Sequence, residues 1–302
     1  MQLKLTSPVD CICDFTYNFI WQHKGEDLDP DAPIPDQVGS KYTYHQLVET
    51  LSGGDDIHIS NSVGKRFASG LGVDLAYFGG GGKTLDVGCV FVDGSIGTRA
   101  GISMVSGIIY VSGTIAEPMG NIVEVVSEKY GYRKYVSITE ILRSGNTDIG
   151  FADTKNTFDG KTLILGDGIL RDTVGARLDV DATVVISGDV DLSTGILMQK
   201  GKVVVEGNSG MNAGVLLNGG RVVIMGSTGE FAGTDMRKGE LVIGGKAQGY
   251  LGANMKGGNI YVKGDVKAVP PAKAGAVDDM GLLQKELGIN RMIAMMFKKI
   301  GV

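Results

Sequence analysis

The chain has 302 residues, of which 48 are glycine and 7 are proline, so it is long enough for one large or two ordinary domains. An excess of glycine with so little proline excludes collagen and proline-rich disorder, and it indicates ordered turns. A net charge of -5 with 21% charged residues gives no electrostatic reason to bind nucleic acid.

The cysteines and the apolar segments exclude further classes of protein. Three cysteines, Cys11, Cys13 and Cys89, are too few for a disulfide scaffold or for a four-thiolate iron–sulfur site in this chain. No run of about 18 apolar residues is present, and the amino terminus lacks a basic region followed by an apolar stretch. We therefore expect a cytoplasmic protein with neither a nucleic-acid nor a membrane partner.

Residues 1–54 are predicted to form an N-terminal cap. Bulky residues alternate with others from Cys11 to Phe19, which predicts a strand with one bulky face. Further along, Thr43 and Gln46 have the spacing of a capping box, which predicts a short helix that ends at a pair of glycines.

Residues 55–120 are predicted to form the first part of a β-helix, because two copies of a glycine-rich unit begin at Leu75 and Gly94. The glycine run 79–82, followed by Lys-Thr, resembles the end of a phosphate-binding loop. That interpretation fails because Tyr77 stands where the motif needs glycine, and a strand is predicted to follow in place of a helix.

Residues 121–149 interrupt the repeat and are predicted to be a helical and loop insertion, in which Ser137 and Glu140 again have capping-box spacing. The insertion carries the densest cluster of tyrosine and basic residues in the chain. Such a cluster is compatible with binding single-stranded nucleic acid, but in an acidic protein an interface hot spot is the simpler interpretation. The residues predicted to contact a partner subunit are Tyr130, Tyr132, Arg133 and Tyr135.

Residues 150–264 contain the repeat in its clearest form. Four consecutive 19-residue segments begin at Gly188 and align without a gap on the pattern G-x6-G-x2-[ML]-x2-G-x-[VLI]-x-[VI]-x. The column of glycines that precedes each strand is Gly201, Gly220, Gly239 and Gly258. The apolar column is Met198, Leu217, Met236 and Met255. A looser copy of 20 residues begins at Gly168.

The pattern inside each unit predicts a coil. Apolar residues two positions apart, such as Val203 and Val205, lie on one face of a short strand, and the glycines form the corners. Stacked coils place Val203, Val222, Leu241 and Ile260 in one buried ladder, with the methionine and leucine column beside it. The predicted fold is an all-β solenoid, a right-handed parallel β-helix with 19-residue coils.

Residues 265–302 are predicted to form a helical tail. Leucine and methionine residues between Leu283 and Met296 have the spacing of an apolar helical stripe, which Gly288 interrupts. Such a tail either caps the last coil or docks on a partner.

No motif predicts a catalytic, cofactor-binding or metal-binding residue in this chain. The chain has no G-x-S-x-G elbow, and His23, His45 and His58 have no metal-ligand spacing to one another. The Cys11-x-Cys13 pair is interpreted as two small buried side chains, because both share the face of bulky neighbours.

The repeat unit, exemplified by GSTGEFAGTDMRKGELVIGG from Gly226, resembles the GXGXG family over about residues 64–264. That family includes the C-terminal domain of the glutamate synthase large subunit and the β-helical subunit of formylmethanofuran dehydrogenase. The resemblance implies a right-handed β-helix that has no catalytic residues and positions the subunits that do.

The resemblance also implies the function and the partners. A chain of this length, without an amidotransferase or flavin domain, is most similar to the β-helical subunit of formylmethanofuran dehydrogenase. That implies a structural role in CO2 reduction to formylmethanofuran in methanogenesis, beside partner subunits that carry molybdopterin with molybdenum or tungsten and iron–sulfur clusters. Two alternatives stay open: a stand-alone subunit of an archaeal-type glutamate synthase, and a scaffold protein without an enzyme partner.

Overall fold

The computed structural model describes residues 1–16, 29–74, 83–264 and 266–302. The chain forms two compact units. The N-terminal unit consists of Met1–Ile141 with Asp148–Asp153, and the C-terminal unit consists of Leu142–Thr147 with Thr154–Val302. Each unit contains stacked parallel strands of a β-solenoid, so the predicted fold class is confirmed.

The sheet of the N-terminal unit contains six strands in its described part. They are β1 (Gln2–Lys4), β2 (Ile57–Ser60), β3 (Val90–Asp93), β4 (Ile108–Val111), β5 (Ile122–Val125) and β6 (Arg133–Ser137). Strands β1 to β4 pair in parallel, with Leu3 opposite Ile59 and Ile59 opposite Val92. β6 lies antiparallel between β4 and β5, so the parallel stack ends at a hairpin.

This hairpin lies within the segment predicted as a helical and loop insertion. The predicted helix is present as α2 (Ile138–Ser144), and the backbone amide of Glu140 donates to the Ser137 hydroxyl at 3.3 Å. The two strands before it were not predicted, because a polar turn separates their apolar residues and the glycines of the 19-residue repeat are missing from this segment. The pairing of β6 with β4 covers the edge of β4 that the parallel stack would otherwise leave open.

The strand predicted over Cys11 to Phe19 is wrong in its described part. Residues 11–16 form turns, and Cys11 and Cys13 have left-handed backbones with φ of 60° and 59°. The backbone amide of Cys11 donates to the Lys65 carbonyl at 2.9 Å, so this segment is a corner that stacks on the next coil. The alternating sequence does not form a strand here because the left-handed backbones of Cys11 and Cys13 turn the chain. Residues 17–28 lie outside the described residues.

The predicted cap helix is confirmed as α1 (Tyr44–Ser52). The Thr43 hydroxyl accepts the backbone amide of Gln46 at 3.1 Å, and the Gln46 side chain accepts the amide of Thr43. The helix ends at Gly53, as expected. The coil predicted from Leu75 falls partly outside the described residues, which resume at Lys83.

The main sheet of the C-terminal unit contains nine strands in its described part. They are β7 (Thr157–Phe158), β8 (Thr162–Leu165), β9 (Thr183–Ile186), β10 (Lys202–Val205), β11 (Asn218–Ile224), β12 (Lys238–Ile243), β14 (Asn259–Lys263), β16 (Lys273–Ala276) and β17 (Phe297–Gly301). A second, two-stranded sheet consists of β13 (Tyr250–Leu251) and β15 (Lys267–Ala268), which pair in parallel. Strands β8 to β12 and β14 form the parallel stack that the 19-residue repeat predicts.

The predicted apolar ladder is confirmed. Val203 lies opposite Val222, Val222 opposite Leu241 and Leu241 opposite Ile260, and all four side chains are fully buried. The methionine and leucine column is also inside, because Met198, Leu217, Met236 and Met255 are at most 1% exposed. These side chains belong to the core and are not a metal site.

Gly220 illustrates why glycine recurs at or near the start of the strands β10, β11, β12 and β14. Its φ is +68°, and a Cβ atom there would lie 2.7 Å from the carbonyl oxygen of Gly201 in the preceding coil. Both the dihedral angle and the close backbone approach therefore exclude larger residues. The other glycines of this column also have positive φ: Gly201, Gly239 and Gly258.

A line of side-chain acceptors joins successive coils at one corner. The Asp189 carboxylate accepts the amide of Asn208 at 2.7 Å, and Asn208 Oδ1 accepts the amide of Ser227 at 2.9 Å. Ser227 Oγ accepts the amide of Lys246 at 3.0 Å. The sequence analysis missed this line, although each acceptor follows a glycine of the repeat and recurs at the same 19-residue interval. It satisfies backbone donors at a corner where no strand ladder is available.

Antiparallel strands stand at both ends of the C-terminal sheet. β7 pairs with β8 at one end, and β17 pairs with β14 at the other, with β16 beyond it. The predicted helical tail is confirmed in part as α3 (Met280–Leu287) and α4 (Arg291–Ala294), with the break at Gly288. The tail also supplies β16 and β17, which were not predicted.

The helices of the tail cover the outer face of the sheet. Leu282, Leu283 and Leu287 of α3 pack against Val223 and Val242, whose side chains point away from the coil interior. The buried carboxylate of Glu286, 2% exposed, adds an ion pair with Lys202 and another with Arg221. Burial opposes ionisation of Glu286, but the two cations outweigh it and hold the pKa of this carboxyl below its ordinary value.

We expect Gly220→Val to lower the free energy of unfolding by about 1–3 kcal/mol or more, because it forces a β-branched residue into a left-handed backbone against the neighbouring coil. Gly275→Val is the matched control. Gly275 is an exposed strand residue with no atom within 4 Å of an added Cβ and without a left-handed φ, so a change below about 0.5 kcal/mol is expected there. Chemical denaturation measures both variants, and equal losses would contradict the coil register.

Glu286→Gln should destabilise the chain by about 1–3 kcal/mol, because two partly exposed cations lose their buried carboxylate. The exposed Glu206→Gln carries the same chemical change as a control and should be neutral. Because the pKa of Glu286 is lowered by folding, its contribution is present above the ordinary carboxyl pKa and is lost as the pH falls below about 4.3. Denaturation curves at several pH values test this, and an undiminished gap at low pH would contradict it.

Candidate docking surface

The four residues predicted to contact a partner lie on the β5–β6 hairpin and its turn. Glu124 of β5 is opposite Tyr135 of β6, and Val125 is opposite Lys134, so residues 126–132 form the connection. This places Tyr130 in the turn and Arg133 at the start of β6. The hairpin therefore brings the four residues onto one element but not onto one face.

Tyr135 lies inside the N-terminal unit. Its side chain is fully buried, and its hydroxyl donates to Glu124 Oε2 at 3.3 Å. The Arg133 guanidinium lies 5.6 Å from the centre of this ring and also donates to Glu124 at 2.8 Å. The burial of Tyr135 corrects the expectation that it contacts a partner directly, because an alternating strand turns every second side chain inward. Arg133 keeps its ion pair while its side chain stays 40% exposed.

Tyr132 packs on a stack of aromatic rings that runs across three strands. His58, Phe91 and Tyr110 occupy opposed positions, with ring centres 4.4 Å and 4.7 Å apart and nearly parallel planes. We call these three residues the aromatic ladder. The Tyr132 ring meets Phe91 edge-on at 5.7 Å, and its hydroxyl donates to Asp93. Edge-on contacts of this kind add to the stabilisation that burial provides.

Glu128 fixes the same turn by charge. Its carboxylate accepts from the Tyr110 hydroxyl and from Lys134 Nζ at 2.9 Å. These hydrogen bonds lower the pKa of Glu128 to about 2, so the carboxylate is ionised over the physiological range. Burial and the bond to Glu128 raise the pKa of Tyr110, which therefore stays protonated as the donor. The turn is thus attached to the sheet at two points, Tyr132 and Glu128.

Tyr130 is the part of the turn that faces solvent. Its side chain is fully exposed, and Val126 at the start of the turn is 64% exposed. We call Val126, Lys129 and Tyr130, with Tyr132 and Arg133 at the rim, the hairpin surface. An aromatic residue on a turn with fixed anchors loses little conformational freedom on binding, which suits it as an interface anchor.

The cysteines have the environment of structural thiols. Cys11 and Cys13 are buried, and burial is the main cause that raises the pKa of Cys11 to about 12 and the pKa of Cys13 further. Cys89 is half-buried, and burial with the nearby Asp56 carboxylate raises its pKa as well. Thiols in these sites stay protonated near neutral pH, whereas nucleophiles and metal ligands act as thiolates.

The histidines and charged groups also have structural roles. His45 Nδ1 lies 2.9 Å from the Asp31 carboxylate and His58 belongs to the aromatic ladder, while His23 and the glycine run 79–82 lie outside the described residues. Within the described ranges, no group of three or more histidine, cysteine or acidic side chains is arranged to hold a metal ion. None of the helices described has the length and hydrophobicity that crossing a bilayer requires.

A cleft of about 500 Å³ lies on the C-terminal unit, at the start of the strands β9 to β12. The residues that line it include Gly201 and Gly220, together with cations and carboxylates. Arg221 pairs with Glu240 and with the buried Glu286 beneath, so the main charges of the cleft are already compensated within the chain.

Comparison with known proteins identifies few relatives, and no family model matches the chain. A protein of Methanothermobacter thermautotrophicus (strain Delta H), described as uncharacterized, is 49% identical over 203 residues. The match covers 67% of this chain and 64% of that protein, which is less than two thirds of the relative's length.

One solved structure is also similar, the formyltransferase/hydrolase complex (FhcABCD) from Methylorubrum extorquens in complex with methylofuran. A chain of that structure is 19% identical, with 95% of this chain and 87% of that chain covered and a TM-score of 0.34. So low a score carries no conclusion about function.

Thiol labelling tests the structural role of the cysteines. A pKa of about 12 in place of the ordinary 9.0 lowers the thiolate fraction of Cys11 about a thousandfold, so it should react with iodoacetamide at pH 8 far more slowly in the folded chain than in denaturant. Cys13 should be slower still, and the half-buried Cys89 should be the fastest of the three. Mass spectrometry of the labelled peptides gives the order. Labelling of Cys11 at the unfolded rate would contradict the assignment.

Proposed function

We propose that the chain is a non-catalytic structural subunit of a formylmethanofuran dehydrogenase complex, where it scaffolds the catalytic subunit. The observation that carries the proposal is the 19-residue repeat, whose residues resemble the GXGXG family and whose columns hold one register through the C-terminal unit. The partner subunits in this proposal carry molybdopterin with molybdenum or tungsten and iron–sulfur clusters, and the complex is cytoplasmic.

The use of the repeat residues supports a structural role. The glycine column is required by backbone geometry, the methionine and leucine column fills the core, and the acceptor line bonds coil to coil. Each recurring side chain thus serves the stack itself. What the chain offers to a partner is its shape together with the side chains that vary between coils.

The ends of the sheets support a role in a defined assembly. Parallel stacks expose backbone donors and acceptors at their last strand, and such edges pair with other chains indiscriminately. Here β5 with β6 and β16 with β17 occupy these positions by antiparallel pairing. Antiparallel pairing thus ends these stacks, and the hairpin surface presents the exposed ring of Tyr130 for a side-chain contact.

The partners distinguish this proposal from the two alternatives. The chain is tagged in its native organism and purified, and the copurifying proteins are identified and their metals measured. A molybdenum or tungsten pterin subunit with iron–sulfur clusters supports the proposal, and the isolated chain should then be inactive in CO2 reduction. Glutaminase and FMN-domain partners favour the glutamate synthase alternative, and recovery of the chain alone favours a scaffold without an enzyme.

Replacing Tyr130 tests whether the hairpin surface holds the complex. Tyr130→Ala removes a fully exposed ring, so we expect unchanged stability but at least about tenfold weaker retention of the partner subunits. Tyr250→Ala is the matched control, because Tyr250 is an exposed tyrosine of the C-terminal unit. Copurification at increasing salt measures the retention, and equal yields from both variants would remove Tyr130 from the interface.

A further inference from the structure

The second half of the helical tail exposes three methionines on one side. Met292, Met295 and Met296 are 79%, 65% and 55% exposed. Met292 lies in α4, Met295 caps it, and Met296 follows in a turn whose amide donates to the Ile293 carbonyl at 3.0 Å. With the spacing i, i+3 and i+4, they lie on one side of this short helical segment. We call them the methionine patch.

Residues on the opposite side of the same segment pack in the chain's own core. Ala294 is fully buried and Phe297 is 4% exposed in the cluster that includes Val242 and Tyr261, and Ile293 packs against it. The backbone of Met296 is held as well, because its carbonyl accepts the amide of Gly264 at 3.2 Å. The methionine side chains are therefore displayed by a fixed segment and face away from the core that holds it.

The charges around the patch have one sign. The segment 287–302 contains Arg291, Lys298 and Lys299 and no acidic residue, although the whole chain has a net charge of -5. Lys299 is paired with Asp278. Arg291 and Lys298 are exposed and form no ion pair with any residue in the described part of the chain. Two exposed cations that form no ion pair within the described residues, Arg291 and Lys298, thus lie next to the methionines in the sequence.

We infer that the methionine patch docks an acidic amphipathic helix of a partner protein. Thioether side chains adapt to the apolar face of a helix, and Arg291 and Lys298 complement acidic residues along its rim. A second copy of this chain is a poor occupant, because twofold pairing would bring the same cations together. The inference rests on the proposed function, since it assigns one contact with a partner subunit.

The test uses the full chain and a synthetic peptide of about 18 residues, about five helical turns, with leucine at helical spacing and glutamate elsewhere. Its counterpart has lysine in place of every glutamate. Fluorescence anisotropy should show that the glutamate peptide binds at least about tenfold more tightly than the lysine peptide, with an affinity that falls as salt is added.

Variants of the patch should remove this binding without changing the fold. Met292→Gln, Met295→Gln and Met296→Gln in one chain should weaken binding of the glutamate peptide at least about tenfold, and Met211→Gln on another exposed methionine should not. Arg291→Glu with Lys298→Glu should reverse the preference in favour of the lysine peptide. Lys285→Glu on α3, an exposed position, reverses one charge outside the patch as a control. Thermal melting verifies the fold of each variant.

Several outcomes would overturn the inference. These are equal binding of the two peptides, no binding at millimolar peptide, or unchanged binding by the methionine variant. Two further outcomes would show that the patch binds something other than an acidic helix. Binding to vesicles of anionic phospholipid without binding of the glutamate peptide would indicate a membrane surface, and self-association that the methionine variant abolishes would indicate a second copy of the chain.

The inference and the proposed function fail separately. If the triple methionine variant keeps all its native partners while Tyr130→Ala loses them, the methionine patch is overturned and the structural subunit stands. If the wild-type chain purifies without any partner, the proposed function fails, and the peptide measurements still decide what the patch binds.

Discussion

The hydrogen bond between one coil and the next is the interaction on which the structure depends. A residue of the C-terminal stack pairs with the residue 19 positions later, as Val203 does with Val222, and this interval recurs from β9 to β14. Because each coil lies only one strand spacing from its neighbours, few side chains fit where backbones approach closely. Glycine at the corners and an apolar ladder inside follow from that spacing.

The fold was predictable because the same physical requirement is repeated many times. Gly220 alone is one glycine among many, but its column recurs at Gly201, Gly239 and Gly258, and this repetition identified both the corners and the strands. The segment 11–16 was misjudged for the opposite reason. Left-handed backbones there fall on Cys11 and Cys13, residues that do not signal them, and bonds such as that from Cys11 to Lys65 stabilise the strained conformation.

The candidate surfaces were only partly predictable, because they depend on which way single side chains point. Tyr130 and Tyr135 look equivalent in the sequence, but one lies in a turn and the other on the inner face of a strand. A local sequence pattern could not predict the aromatic ladder, because His58, Phe91 and Tyr110 lie far apart in the chain. They meet only through the register of β2, β3 and β4. The methionines of α4 were expected to join a helical stripe, but the first half of that stripe, on α3, is buried and the second half is exposed.

The line of acceptors from Asp189 to Ser227 has a consequence for how such a chain changes length during evolution. Each acceptor must meet the amide of the residue one coil later, so adding one residue within a strand would shift the pairing of that coil with its neighbours, whereas adding a whole coil preserves the pairing. The 20-residue unit marks where a single insertion is tolerated. Leu178 lies 20 residues before its counterpart Met198, but Val184 lies 19 residues before its counterpart Val203. The extra residue therefore lies in the corner between Leu178 and Val184. Gene duplication in whole-coil steps, with small insertions confined to corners, is the mode of growth that this geometry permits.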